Sequence, residues 1–97
     1  MATYITLLRY TQQGMKNIKE APSRLDAAKE AFRAMGTDLK EFYLLQGQYD
    51  ALVVGECPDA ETAAKLALAI GAQGSVRTET MRAFTEEEYR EIIAALP

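Results

Sequence analysis

The 97-residue sequence contains no histidine and no tryptophan. The first absence removes at one stroke the commonest general base and the commonest metal ligand. A single cysteine, Cys57, excludes an intramolecular disulfide and fits a reducing compartment. With no histidine to activate it, and with Glu56 and Asp59 beside it, the Cys57 thiol reads as inert packing. Basic excess is missing as well. Eleven Lys and Arg stand against fourteen Asp and Glu, a net charge of −3, which argues against nucleic acid as a partner. No apolar run approaches the roughly 18 residues of a membrane helix. The N-terminal Met1–Ile5 lacks the basic and apolar regions of a signal peptide, so the expected setting is the cytoplasm, with no membrane partner. No metal site and no cofactor motif stands out. The acidic run Glu86–Glu88 reads as a helix start. Gly71-Ala72-Gln73-Gly74 lacks the Lys-Ser/Thr of a phosphate loop and follows a helix C-terminus, the wrong end for an anion.

What is present describes one ordinary globular domain over residues 1–97, with 48% hydrophobic and 26% charged residues. The chain is organised around Glu41–Val54. Two β-prone runs, Phe42–Leu45 and Ala51–Val54, are punctuated by Gly47 and read as a hairpin with a loop longer than two residues. Both runs are apolar on successive sides, which predicts burial on both faces of a sheet. A first strand is expected over Thr3–Tyr10, with Ile5 and Leu7 under the helices and Tyr4, Thr6, Leu8 and Tyr10 on the other side. A helix begins near Gln12, capped by Thr11, and breaks before Pro22. A second piece carries Leu25, Ala28, Phe32 and Met35 at helical spacing, with Arg24 on its exposed side and Gly36 as its C′ residue. An alanine-rich helix spans about Ala60–Ile70. A last strand spans Ser75–Phe84 and is polar enough for an edge. Thr85 and Glu88 form a capping box for a short terminal helix with Tyr89, Ile92, Ile93 and Leu96 on its apolar side.

The order β-α-β-β-α-β plus a terminal helix is the ferredoxin-like arrangement, an α+β fold with a four-stranded antiparallel sheet. Strands one and three are central, and both main helices fall on one face. The other face would be left apolar and bare, at about 25 cal/mol per Å². A second copy of the chain is the economical cover, giving a two-sheet, barrel-like homodimer. The terminal helix is too short to cover more than part of that face.

Gly47-x-Tyr49-Asp50 resembles the signature of the GYD-domain proteins, a bacterial and archaeal family. The resemblance runs nearly end to end, through Tyr4–Leu8, Thr11–Gly14, Phe42–Leu44, Glu56–Asp59, Gly74–Thr78 and Arg82–Thr85. It implies the dimeric α/β-barrel fold and no established activity. A shorter resemblance links the same hairpin to the effector domain of Lrp-type regulators, which bind amino acids near subunit contacts. Other dimeric α/β barrels are cofactor-free oxygenases and isomerases, an analogy of fold alone.

The candidate site residues each carry two readings. Gly47, Tyr49 and Asp50 either set the hairpin or place a hydroxyl and a carboxylate at a pocket rim. Glu56 either pairs with Arg9, Arg77 or Arg82, or sits desolvated at a strand end where it would suit proton transfer. Tyr4, Thr6, Thr78, Thr80 and Arg82, with Tyr43, either make a wet dimer interface or line a polar cavity between two sheets, where the arginine would take a carboxylate or phosphate. The function expected from these is a homo-oligomeric small-molecule-binding or assembly module. The alternative is a cofactor-independent enzyme using Tyr43, Glu56 or Arg82 between the sheets.

Overall fold

Strand β1 (Ala2–Tyr10) opens the computed structural model, which describes residues 1–97. At its end the Thr11 hydroxyl accepts the Gly14 N–H at 3.1 Å and caps α1 (Gln12–Lys16). A 3₁₀ turn (Ile18–Glu20) leads into α2 (Ala21–Ala34). The break expected before Pro22 falls earlier, at Asn17 (φ −109, ψ 33), and Ala21 is itself helical (φ −56, ψ −42). Pro22 fits in the first turn because an N–H there has no intrahelical partner to lose. Helix α2 stops at Gly36, whose φ of 73 favours glycine. Gly36 N–H donates to Arg33 O and Thr37 N–H to Phe32 O, both at 3.0 Å, the paired bonds of a Schellman motif.

Strands β2 (Asp38–Leu44) and β3 (Ala51–Cys57) form the hairpin. Then come α3 (Ala60–Ala72), β4 (Val76–Ala83) and α4 (Glu86–Ala94). The Asp59 carboxylate caps α3 by accepting the Thr62 N–H at 2.7 Å, and that bond holds its carboxyl below the usual carboxylate range. At α4 the capping box is complete: Glu88 N–H donates to Thr85 Oγ1 at 3.2 Å and Thr85 N–H to Glu88 Oε1 at 2.9 Å. The backbone bond from Thr85 likewise lowers the Glu88 carboxyl.

The sheet runs β2-β3-β1-β4, antiparallel throughout. Strand β3 alternates strictly. Ala51, Val53, Gly55 and Cys57 are buried; Leu52, Val54 and Glu56 are half-buried. Phe32 of α2 packs with Cys57, Ala63 and Leu66, while Leu8 packs with Ala51 and Val53. Gly55 lets the Phe32 ring lie on the sheet, since a Cβ there would stand 2.9 Å from Phe32 Cε2. Cys57, 2% exposed, takes the Thr37 hydroxyl at 3.7 Å and has the packing role its surroundings predicted.

One expectation is reversed. Tyr4, Thr6, Leu8 and Tyr10 face the helices. Ile5 and Leu7 lie on the open face, opposite Val54 and Leu52 of β3. Both sets are apolar enough to be buried, so alternation alone did not say which set meets the helices. The open face has no cover within the chain: Tyr43 is 53% and Met81 41% exposed. Helix α4 does not fold back over it. None of its residues is buried, and the molecule measures 51 × 31 × 18 Å.

Helix α1 is pinned to the loop before β4. Thr11 N–H donates to Ser75 O at 3.1 Å and the Thr11 hydroxyl to Gly74 O at 2.6 Å. Gly14 permits this approach, because a Cβ at that position would lie 2.0 Å from Ser75 O.

Candidate functional site

The β2–β3 loop is a clamp. Gly47 turns the chain at φ 124, and Leu45 N–H donates to Asp50 O at 2.8 Å. Asp50 then reaches β1 twice: its own N–H donates to Leu8 O at 2.8 Å, and its Oδ2 accepts the Tyr10 N–H at 2.9 Å. Tyr49 reaches further. Its hydroxyl donates to Glu79 Oε2 of β4 at 2.6 Å, and the Arg9 guanidinium lies 4.7 Å from its ring centroid. Arg9 Nε also donates to Gln48 O at 3.0 Å. The bond to Glu79 favours the protonated phenol and pushes the Tyr49 hydroxyl above its ordinary value. Asp50→Ala leaves the part-buried Tyr10 N–H without its acceptor, an expected loss of about 2 kcal/mol. The midpoint of urea unfolding checks this, with Asp50→Asn expected to recover most of the loss by keeping an oxygen in place. A midpoint unchanged in Asp50→Ala would rule out the clamp as a source of stability.

Between the sheet and the two main helices lies a cavity of about 340 Å³. Its lining is mostly apolar, from Leu8, Val53 and Phe42 on the sheet and Leu25, Ala28 and Leu66 on the helices. Four of the candidate residues meet there: Tyr4, Thr6, Thr78 and Thr80. The Thr6 and Thr80 hydroxyls are hydrogen-bonded to each other at 3.0 Å across β1 and β4. The cavity lies under the helices, on the side of the sheet away from the open face, and not between two sheets. Tyr43, Glu56 and Arg82 are not among its lining residues.

Those three have other surroundings. The Tyr43 hydroxyl donates to Glu41 Oε2 at 2.8 Å, which raises its pKa. Glu56 pairs with Lys40 at 3.2 Å, rather than with any of the three arginines expected. A bulge between Leu39 and Glu41 makes Lys40 the extra residue of β2. Its Nζ also lies 3.5 Å from Asp38. The hydrogen bond and charge of Glu56 raise the Lys40 pKa. Arg82 stacks on Phe84 at 4.2 Å and lies 6.0 Å from the Tyr4 ring centroid. Its guanidinium is taken up by Thr3 O at 3.4 Å, by Ala83 O and by Glu88 at 3.6 Å.

The sequence reading missed Arg24, which lines the cavity from α2. Helical spacing held the signal, because Arg24 precedes Ala28 by four residues and Phe32 by eight, on the buried stripe. Its charge argued for solvent and prevailed.

The GYD domain model matches residues 4–93 of the chain. The chain is 33% identical over 84 residues to the glutamine synthetase and cystathionine beta-lyase binding protein of Thermus thermophilus, covering 86% of this chain and 88% of that one. A crystal structure of a protein from Thermus thermophilus superposes with a TM-score of 0.56 at 26% identity, covering 88% of this chain and 95% of that one. A hypothetical protein of Pyrococcus horikoshii shares the fold, with a TM-score of 0.55 at 22% identity over 89% of this chain and 93% of its own.

Proposed function

Since the chain belongs to the GYD-domain family, we propose that it is a small assembly module, which pairs with a second copy through its open sheet face and docks onto a metabolic enzyme. The observation that carries this reading is the open face itself. Ile5, Leu7, Leu52 and Val54 form its half-buried centre, with Tyr43 and Met81 exposed beside them. Charged residues flank this patch, Arg9 and Glu79 at one end and the Lys40–Glu56 pair at the other. An apolar centre inside a charged rim is the anatomy of a protein interface.

The name of the Thermus relative supports an enzyme as the second partner. Helix α4 is the surface that suits it. Its capping box forms the helix in advance, and Tyr89, Ile92, Ile93 and Leu96 are all exposed. An apolar helix side with Glu86 and Glu87 at its start fits a hydrophobic groove rimmed by basic residues. Purified glutamine synthetase and cystathionine beta-lyase, immobilised in turn, provide the test. Binding to at least one is expected. Ile92→Ser with Ile93→Ser should weaken it at least tenfold while leaving the oligomeric state unchanged. Absence of binding to both enzymes overturns the docking role, and unchanged affinity in the double variant overturns the assignment to α4.

A further inference from the structure

We propose that the cavity between the sheet and the helices is a binding site for an amphiphilic carboxylate, its apolar body against the sheet and its head on the Arg24 guanidinium. The shape comes first. A volume of about 340 Å³ lies within the usual range of small-molecule sites. At roughly 30 Å³ for each water-sized unit, it suits a ligand on the order of a dozen non-hydrogen atoms. Leu8, Val53, Leu25, Ala28 and Leu66 give that ligand an apolar wall. The cavity is partly open, so entry needs no disruption of the sheet.

The chemistry of the head follows from Arg24. Its Nη1 donates to Asn17 O at 3.1 Å and lies 4.0 Å from Glu20 Oε2. Its Nη2 is buried and has no acceptor. Buried donors are normally paired, and one left unpaired destabilises the fold. Arg24 is the single cationic side chain in the lining, and no Asp or Glu lines the cavity to neutralise it. Glu20 is largely solvated, with its side chain 74% exposed, so it competes weakly. A planar carboxylate matches the guanidinium fork, and a turn of the guanidinium toward the cavity would bring Nη2, which has almost no accessible surface as it stands, to that head. The threonine pair, Thr6 and Thr80, adds two hydroxyls on the sheet side, available to a hydroxyl or carbonyl along the ligand body. This site lies on the opposite side of the sheet from the face assigned to pairing, so its failure and the failure of the assembly reading are separable.

Calorimetric titration with octanoate and with 1-octanol, a neutral molecule of the same chain length, tests the site. Octanoate is expected to bind with submillimolar affinity, at least tenfold tighter than octanol. Arg24→Met should remove that difference while octanol affinity changes less than threefold. Arg24→Lys, which keeps the charge and loses the fork, should fall between the two. Ala28→Phe, filling the cavity with Arg24 intact, should abolish binding of both ligands. Octanol binding as tightly as octanoate overturns the carboxylate assignment. No binding of either ligand, or full octanoate affinity in Ala28→Phe, overturns the site. If the variants do not fold, the comparison of the two ligands on the native chain decides.

Discussion

Val54→Lys is expected to leave a folded monomer, whereas the native chain is expected to sediment as a dimer. Val54 is half-buried at the centre of the open face, between Ile5 of β1 and Glu41 of β2. Within one subunit the lysine would have room to reach water and a carboxylate beside it in Glu41. Lysine is chosen over aspartate for that reason, because an acidic residue opposite Glu41 would add repulsion inside the subunit. In a face-to-face pair the same side chain is trapped, and it is trapped twice, once from each copy. Each desolvated ion costs several kcal/mol. At about 1.4 kcal/mol per decade, the pairing should weaken by at least about a thousandfold. Sedimentation velocity reads the outcome, and far-UV circular dichroism confirms that the subunit survives. A native chain that is monomeric at high micromolar concentration, or a variant that stays paired, would remove the open face as the interface.

The second large effect is expected at Gly14. Alanine there puts a methyl group 2.0 Å from Ser75 O, a backbone atom with no rotamer to escape through. Relief requires α1 to lift from the loop, which sacrifices Thr11 N–H to Ser75 O at 3.1 Å and the Thr11 hydroxyl to Gly74 O at 2.6 Å. Overpacking of this kind costs about 3 kcal/mol, a fall in Tm on the order of 15 °C for a domain of this size. Gly71→Ala is the matched control. It lies within α3, and a Cβ there meets nothing within 4 Å. It should hold or raise Tm, since alanine is the better helix former. Equal scanning-calorimetry curves for the two variants would contradict the close approach of α1.

Much of this architecture is legible in the residues because local and global signals agree. Thr85 and Glu88, three apart ahead of an apolar stripe, announce the last helix, and Gly36 announces the end of α2. Gly47 between two β-prone runs announces the hairpin, and the order of elements then leaves one sheet topology. The site is another matter. Period-two alternation divides β1 into two sets, but Ile5 and Leu7 are as apolar as Leu8, so the pattern could not say which set meets the helices. The same ambiguity put Tyr4, Thr6, Thr78 and Thr80 on the open face, whereas they line the cavity under the helices. For Glu56 the sequence offers three arginines, whereas a one-residue bulge delivers Lys40, and bulges leave no pattern of their own in a sequence. The charge of Arg24 points to solvent although its spacing puts it on the buried stripe. A hollow beneath the helices depends on how far α2 and α3 stand from the sheet, a distance that no residue pattern encodes.

The hydrogen bond between Thr6 and Thr80 joins residues 74 positions apart. Strand β1, the first made, is central and needs the last strand to complete its pairing. During synthesis the hairpin can close on β1 early, but one side of β1 stays an open edge until residues 76–83 exist. Pairing across such a separation pays its loop-closure entropy before it gains any contact, which slows folding. The nascent chain therefore carries an unpaired edge on β1 until β4 has been made. The proposed ligand site and the proposed pairing face both include residues of β4, so neither is complete until that strand has been made.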